Sequence, residues 1–301
     1  MKHAFLITAY QHHDQLRILL QLLDHKDCDI YVHVDKADTT FNEAAFVGAC
    51  QQSRVIFIPR IKVTWGDYTQ VLAEMNLLQE ALQQGEYDYF HLLSGQDLPI
   101  KPMSEIMAFF EKHRGQIFVD CNDEKHDENP LRFSLRYDVF HPFQKYVGKG
   151  RSFIKGRRGL KYVDFGIALL QHYLGVSRTR KSNLTIKSGA NWFSIPADFA
   201  TYLNNQRQVI LRFCRYGYCV DEVFVATWLY NSPFYKRVYR HSDYRDSILR
   251  RYKWQDHNPT LVTVTDLKEY ERQPDALFAR KFDVRVNAEP VQYLLSLIKE
   301  G

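Results

Sequence analysis

The sequence is poor in cysteine, and the few thiols it has follow no pattern that suggests chemistry. Cys28, Cys50, Cys121, Cys214 and Cys219 form no CxxC pair and no Cys/His set at zinc spacing. An odd, scattered set of this kind fits reduced thiols in a cytosolic compartment better than a disulfide framework. Long apolar runs are also missing. The opening stretch MKHAFLITAYQHHDQ turns polar too soon for a signal peptide or a membrane span. No Walker A loop, serine elbow or HExxH is present, and Gly148-Lys149-Gly150 lacks the third glycine and the strand-to-helix setting of a dinucleotide fingerprint. Charge of one sign is scarce too: 40 basic against 35 acidic residues leave +5, too little to argue for nucleic acid. Repeats and low-complexity linkers are absent. The economical expectation is a single domain over residues 1–301, with an orderly first half (1–120) and an irregular second half (121–301).

What is present is an alternation of strands and helices. Ala4 to Ala9, Ile30 to Val34, Val55 to Ile58 and Tyr89 to Leu93 read as buried strands. Helices are expected behind the first, from the spacing of Leu16, Leu19, Leu20, Leu22 and Leu23, and at Phe41 to Cys50 and Tyr68 to Gln84. This pattern predicts an α/β fold with a Rossmann-like, mostly parallel sheet flanked by helices. Further on, Ser104 to His113, Ala197 to Asn205, Asp221 to Tyr230 and Val291 to Lys299 read as helices. Gln116 to Val119 and Asn191 to Ile195 read as strands, and Phe278 to Asp283 as a compact stretch. Between Cys121 and about Lys187 the pattern loosens, with the basic run Lys145, Lys149, Arg151, Lys155, Arg157, Arg158 and Lys161. That run reads as a solvated face or, alternatively, as a lip for anionic lipid or substrate phosphate.

Ligands of open α/β sheets collect at the carboxyl ends of the strands. There the sequence places acids: Asp35 after the second strand, and Asp97 after the turn Ser94-Gly95-Gln96, with Pro99 and Pro102 delaying the next helix. Asp97 reads either as a turn-forming residue or as a ligand contact. The pair Asp221-Glu222 opens a helix, where acids complement the dipole or where Glu222 serves as a general base. Arg280-Lys281 could neutralise a phosphate leaving group. Asp27-Cys28-Asp29 spells a DxD, but ahead of a strand, where a polar turn is the expected reading.

In family order the chain carries YVHVDK (Tyr31 to Lys36), VTWGDYTQV (Val63 to Val71), LLSGQDLPIKP (Leu92 to Pro102), SGANWFSIP (Ser188 to Pro196), DEVFVATWL (Asp221 to Leu229) and LFARKFD (Leu277 to Asp283). In these pieces it resembles the core-2/I-branching β-1,6-N-acetylglucosaminyltransferases, a family that includes the peptide O-xylosyltransferases, and it reads as a compact bacterial member. The resemblance implies a GT-A type fold and an inverting, metal-independent transfer from a UDP-sugar, most simply UDP-N-acetylglucosamine with UDP-xylose as the alternative. The acceptor would be a glycan or lipid-linked oligosaccharide. It implies Glu222 as catalytic base; Val32, His33 and Asp35 against the uridine; Asp97 near the donor sugar; and Lys281 with Arg280 at the diphosphate. Trp254, with Trp192 and Asp221, falls on the acceptor side. No cofactor and no nucleic-acid partner are expected. The expected location is cytoplasmic, with peripheral contact at the inner face of the membrane.

Two positions depart from the family pattern. His257-Asn258-Pro259-Thr260 lacks an arginine expected to pair with the lysine, so Arg250, Arg251 or Arg280 becomes the candidate second cation, and Asp256 replaces an expected tyrosine. A catalytically silent glycan- or nucleotide-binding protein is the rival from another class.

Overall fold

The computed structural model describes residues 1–121, 129–148, 157–239, 247–255 and 258–300. Lys149, Arg151, Lys155, Asp256 and His257 lie outside them.

Three strands form the centre because their sequences are apolar on both faces: β1 (His3–Ala9), β2 (Cys28–Val34) and β4 (Tyr89–Ser94), with β3 (Arg54–Phe57) outside β2. They run parallel in the order β3-β2-β1-β4. The sheet then continues antiparallel through β7 (Phe193–Pro196) to β6 (Phe118–Val119). The result is an α/β fold with a mixed, mostly parallel sheet. Strand alternation divides the core. Phe5, Ile7, Ile30 and Val32 face a cluster completed by the helix His13–Leu22, whereas Ala4, Leu6 and Tyr31 face the helices Thr69–Gln84 and Ala197–Asn205.

A second, three-stranded sheet locks the turn after β4. In it β5 (Asp97–Pro99) pairs antiparallel with β11 (Phe278–Arg280), which pairs in parallel with β8 (Arg250–Arg251). The register sets Arg280 opposite Asp97. A short antiparallel pair, β9 (Trp254–Gln255) with β10 (Asn258–Pro259), stands apart.

Most elements fall where expected, with shifted ends, but several expectations are corrected. Phe41 to Cys50 is not a helix beyond the 3-10 turn Glu43–Phe46. Asn42 caps that turn, Val47 leaves the helical region, and Gly48 takes φ +70°. The Asp221 to Tyr230 helix is divided. Asp221 and Glu222 sit in the 3-10 turn Val220–Glu222, and the α-helix begins only at Phe224. Asp29 is not in a turn but inside β2, at the amino edge of the sheet. There it receives Arg54 at 2.7 Å, Lys2 at 3.0 Å and the Tyr87 hydroxyl at 2.6 Å. Burial opposes its charge, yet these donors hold its carboxyl well below the usual range. The irregular second half contains a 17-residue helix, Arg157–Tyr173, that periodicity had not singled out. The five cysteines form no disulfide with one another, and no helix among the described residues is long and apolar enough to cross a membrane.

Candidate active site

A cleft of about 280 Å³ opens at the carboxyl ends of β1, β2 and β4, between Thr8-Ala9, His33 and Asp35, and Ser94-Gly95-Gln96. β1 lies between β2 and β4, so the strand order reverses here; this is the switch point where open α/β sheets bind ligands.

The β2 side presents His33 and Asp35. His33 Nε2 accepts the Ile61 N–H at 3.1 Å, and burial, followed by the charge of Arg60, pushes the imidazole down to about 4. The ring is therefore neutral at physiological pH, with its hydrogen on Nδ1. Asp35 Oδ1 accepts from Ala37 N (2.8 Å) and Val63 N (3.1 Å). Val32 does not belong to this surface. Its place in the strand alternation turns it into the core, where it is fully buried.

The opposite corner is built around Asp97, which is 1% exposed. Its carboxylate accepts the Ser94 N–H at 2.7 Å, the Ser94 hydroxyl at 3.0 Å, the Trp192 indole N–H at 3.1 Å and Arg280 Nη1 at 2.7 Å. Both oxygens are occupied. Asp97 is thus not on the cleft wall; it clamps Arg280, which is, and fixes Trp192 beside it. The Arg280 guanidinium carbon lies 5.2 Å from the Trp192 ring centre. From Trp192 an aromatic row continues outward through Tyr252 (5.4 Å) to Trp254 (5.9 Å), the last 58% exposed.

Of Arg250, Arg251 and Arg280, it is Arg280 that lines the cleft. Arg250 is fully buried, where it donates to the carbonyls of Leu92 (2.8 Å) and Phe193 (3.0 Å) and joins β4 to β7. Arg251 is buried against Gln273. Lys281 follows Arg280, and its pKa is lowered by burial and then by the Arg280 charge, as expected of two cations held together. At the cleft mouth His12 meets Arg285 at 2.6 Å and Asp283 at 3.3 Å. Burial, then Arg285, and to a lesser degree Lys281 lower its pKa. The His12 and Arg285 contribution was not foreseen.

The third wall is acidic. Gln70 and Glu74 stand one turn apart on the helix Thr69–Gln84, both facing the cleft. Gln70 Nε2 donates to Asp221 Oδ2 at 3.1 Å, and Glu74 Oε1 accepts from Asn191 Nδ2 at 3.0 Å. Glu74 Oε2, Asn191 Oδ1 and Asp221 Oδ1 are buried and have no partner among the described residues. Burial and the neighbouring Asp221 raise Glu74 well above the usual carboxyl range; burial and Glu222 push Asp221 up to about 7. Burial and the Asp221 charge thus favour the protonated form of Glu74, which can donate a hydrogen bond. A lone Glu among Val71, Ala73, Met75 and Leu78 was the available sequence signal.

Glu222, next to Asp221, is held by side chains rather than by a helix terminus. Its Oε2 accepts from Arg136 Nη2 at 2.6 Å and from the Tyr137 hydroxyl at 3.1 Å. Burial and Glu222 raise the Tyr137 pKa, so the phenol stays a donor. Oε1 accepts no hydrogen bond among the described residues, and its side chain is 34% exposed. Its backbone carbonyl accepts the Gly189 N–H at 2.8 Å, which ties it to the segment that delivers Asn191.

Among the described residues no group of three or more His, Cys, Asp or Glu is arranged to hold a metal ion. Asp27 and Asp29 lie at the opposite edge of the sheet from the cleft.

A family model described as "Branch: Core-2/I-Branching enzyme" matches residues 3–273. The chain belongs to the core-2/I-branching enzyme family. Similar curated members include Xylosyltransferase 1 of Homo sapiens, 24% identical over 305 residues, covering 93% of this chain and 28% of the relative. The Xylosyltransferase of Ciona intestinalis is 24% identical over 297 residues, with 93% and 32% covered. This core-2/I-branching chain spans about three-tenths of the length of the curated relatives it matches. Among solved structures, mouse Xyloside xylosyltransferase 1 in its apo form superposes with a TM-score of 0.32 at 8% identity, covering 76% of this chain and 82% of that one. S. aureus TarS gives 0.28 at 12% identity, with 49% and 26% covered.

Proposed function

We propose that this core-2/I-branching protein is an inverting glycosyltransferase. It moves a sugar from a UDP-sugar to a hydroxyl of a glycan or lipid-linked oligosaccharide, with fixed cations in place of a metal ion. The observation that carries this reading is one cleft at the sheet's carboxyl edge that is lined by the cation Arg280, beside Lys281, and by Gln70 and Glu74, with Gln70 hydrogen-bonded to Asp221 of the Asp221-Glu222 pair.

The uridine lies against His33 and Asp35, and the diphosphate against Arg280 and Lys281. Glu222 Oε1 takes the acceptor hydroxyl's proton as that oxygen bonds to the anomeric carbon. The bond from that carbon to UDP breaks, and UDP leaves with the electron pair. Arg280 and Lys281 offset the charge that develops on it; prepositioned cations of this kind contribute several kcal/mol to such a step. Trp192, Tyr252 and Trp254 offer flat faces to an acceptor sugar. Residues 1–120 supply the nucleotide side, 121–301 the base and acceptor side, with Arg280 and Lys281 returning from the second half.

N-acetylglucosamine is the first reading of the donor sugar. The names of the curated relatives favour xylose as the second. The test is a melting screen against UDP, UDP-N-acetylglucosamine, UDP-xylose, UDP-glucose and UDP-galactose with and without EDTA, followed by transfer assays of Glu222→Gln. The expected result is stabilisation by UDP and one UDP-sugar that survives EDTA, with transfer lost and UDP affinity kept in Glu222→Gln. Normal transfer by that variant refutes the base. Loss of activity in EDTA restored by manganese refutes the metal-free step.

A further inference from the structure

The helix Arg157–Tyr173 is amphipathic in the opposite sense to a core-packed surface helix. Its inward face carries the buried Ala168 and partly buried Leu160 and Ile167, together with polar side chains that clamp it to the fold. Asp164 accepts the Phe143 N–H at 3.1 Å and pairs with His141 Nδ1 at 2.8 Å; Gln171 brackets the backbone of Phe140 at 3.0 and 2.8 Å; His172 Nδ1 meets the Ser134 hydroxyl at 2.9 Å. Its outward face is apolar. Tyr162, Phe165, Leu169 and Tyr173 recur at i, i+3, i+7 and i+11, with Val163, Leu170 and Leu174 alongside at the same spacing. Tyr162, Phe165, Leu170 and Tyr173 are 76%, 53%, 59% and 78% exposed. Of the 17 large hydrophobic residues exposed among the described residues, seven fall between Tyr162 and Val176, so this is a concentrated patch rather than the normal scatter of surface apolar groups.

Charge identifies the occupant. Residues 129–187 carry thirteen Lys or Arg against two acids, Asp138 and Asp164. Both acids are consumed internally, Asp164 as above and Asp138 by Ser177 (2.5 Å) and Thr179, and of the cations Arg136 is taken by Glu222 and Arg178 by the Phe213 carbonyl, so the segment keeps a large basic excess. The exposed Lys161, Arg180 and Lys181 flank the apolar stripe in sequence. We propose that this face docks on an anionic lipid bilayer, its apolar stripe entering the headgroup boundary and its cations meeting the lipid charges. A second copy of the chain is the poorer occupant, because an isologous contact would set this strongly cationic segment against itself. The helix is braced on Ser134, the first residue of the π-helical turn Ser134–Asp138 that carries Arg136 and Tyr137, the two residues holding Glu222. Docking therefore brings the catalytic carboxylate's support close to the membrane surface. The docking inference stands independently of the transferase reading.

The test is flotation of the full-length protein with phosphatidylcholine vesicles, with and without phosphatidylglycerol, in about 0.1 M salt, alongside sedimentation to read oligomeric state. The expected result is binding only when phosphatidylglycerol is present. Binding should weaken by about tenfold or more in Phe165→Ser/Leu170→Ser/Tyr173→Ser and in Lys161→Glu/Lys181→Glu. All of these positions are exposed, and an unchanged melting curve for each variant verifies the fold. Absence of flotation, flotation untouched by either variant, or a dimer that the triple variant dissolves would overturn the proposal.

Discussion

Asp97 offers the sharpest separation between a residue that touches ligand and one that holds another in place. Replacing it with alanine removes the acceptor of four hydrogen bonds and leaves Arg280 without its counter-charge. Breaking a fully buried ion pair costs about 3–5 kcal/mol. The Arg280 side chain is 21% exposed, so water recovers part of this, and about 2–4 kcal/mol is the expected loss. For a chain of this length 1 kcal/mol moves the melting midpoint by about 1.5–2 °C, which predicts a drop of about 3–8 °C. Because Asp97 does not line the cleft, its loss reaches UDP affinity chiefly by releasing Arg280, the charged group it holds there. Affinity measured by titration calorimetry should therefore fall in Asp97→Ala and in Arg280→Ala, but not further in the double variant. Two results would refute the reasoning: an unchanged midpoint in Asp97→Ala, or affinity losses that simply add, since residues coupled through one contact are not additive.

Lys281→Ala should weaken UDP binding by about tenfold while leaving the ligand-free midpoint unchanged or slightly higher, because burial and Arg280 disfavour that charge when no anion is bound; calorimetry and a melting curve check the two halves separately. Asp221 predicts a pH effect. With its pKa raised from 3.8 to about 7, the folded chain holds a proton that the unfolded chain releases, so its contribution to stability is complete below about pH 4 and is lost as pH rises through about 7. Asp221→Asn keeps the neutral form and should gain stability relative to the parent at pH 8 compared with pH 5. An equal offset at both values would mean that Asp221 is not raised.

Local pattern determined much of this protein. The uninterrupted apolar strands His3–Ala9, Cys28–Val34 and Tyr89–Ser94 can only be buried on both faces, and that forces a parallel core with helices on either side. The same pattern places Asp35 and the Ser94-Gly95-Gln96 turn at the strands' carboxyl ends, and these line the cleft. Where periodicity was weak the reading failed: Glu43–Phe46 is one 3-10 turn, and the helix Arg157–Tyr173 was hidden because its apolar stripe does not face the core.

What only the tertiary structure decided are the pairings between distant residues. Arg280 meets Asp97 across 183 residues because of the antiparallel register of β5 and β11, and a one-residue slip would turn it away. Burial sorted the three arginines: it removed Arg250 and Arg251 into the interior and left Arg280 on the cleft. Glu74 became part of the site through desolvation and its nearness to Asp221, 147 positions along the chain. Periodicity reports which face of an element is apolar. It carries no information on which two faces meet, and charge, burial and register are properties of that meeting.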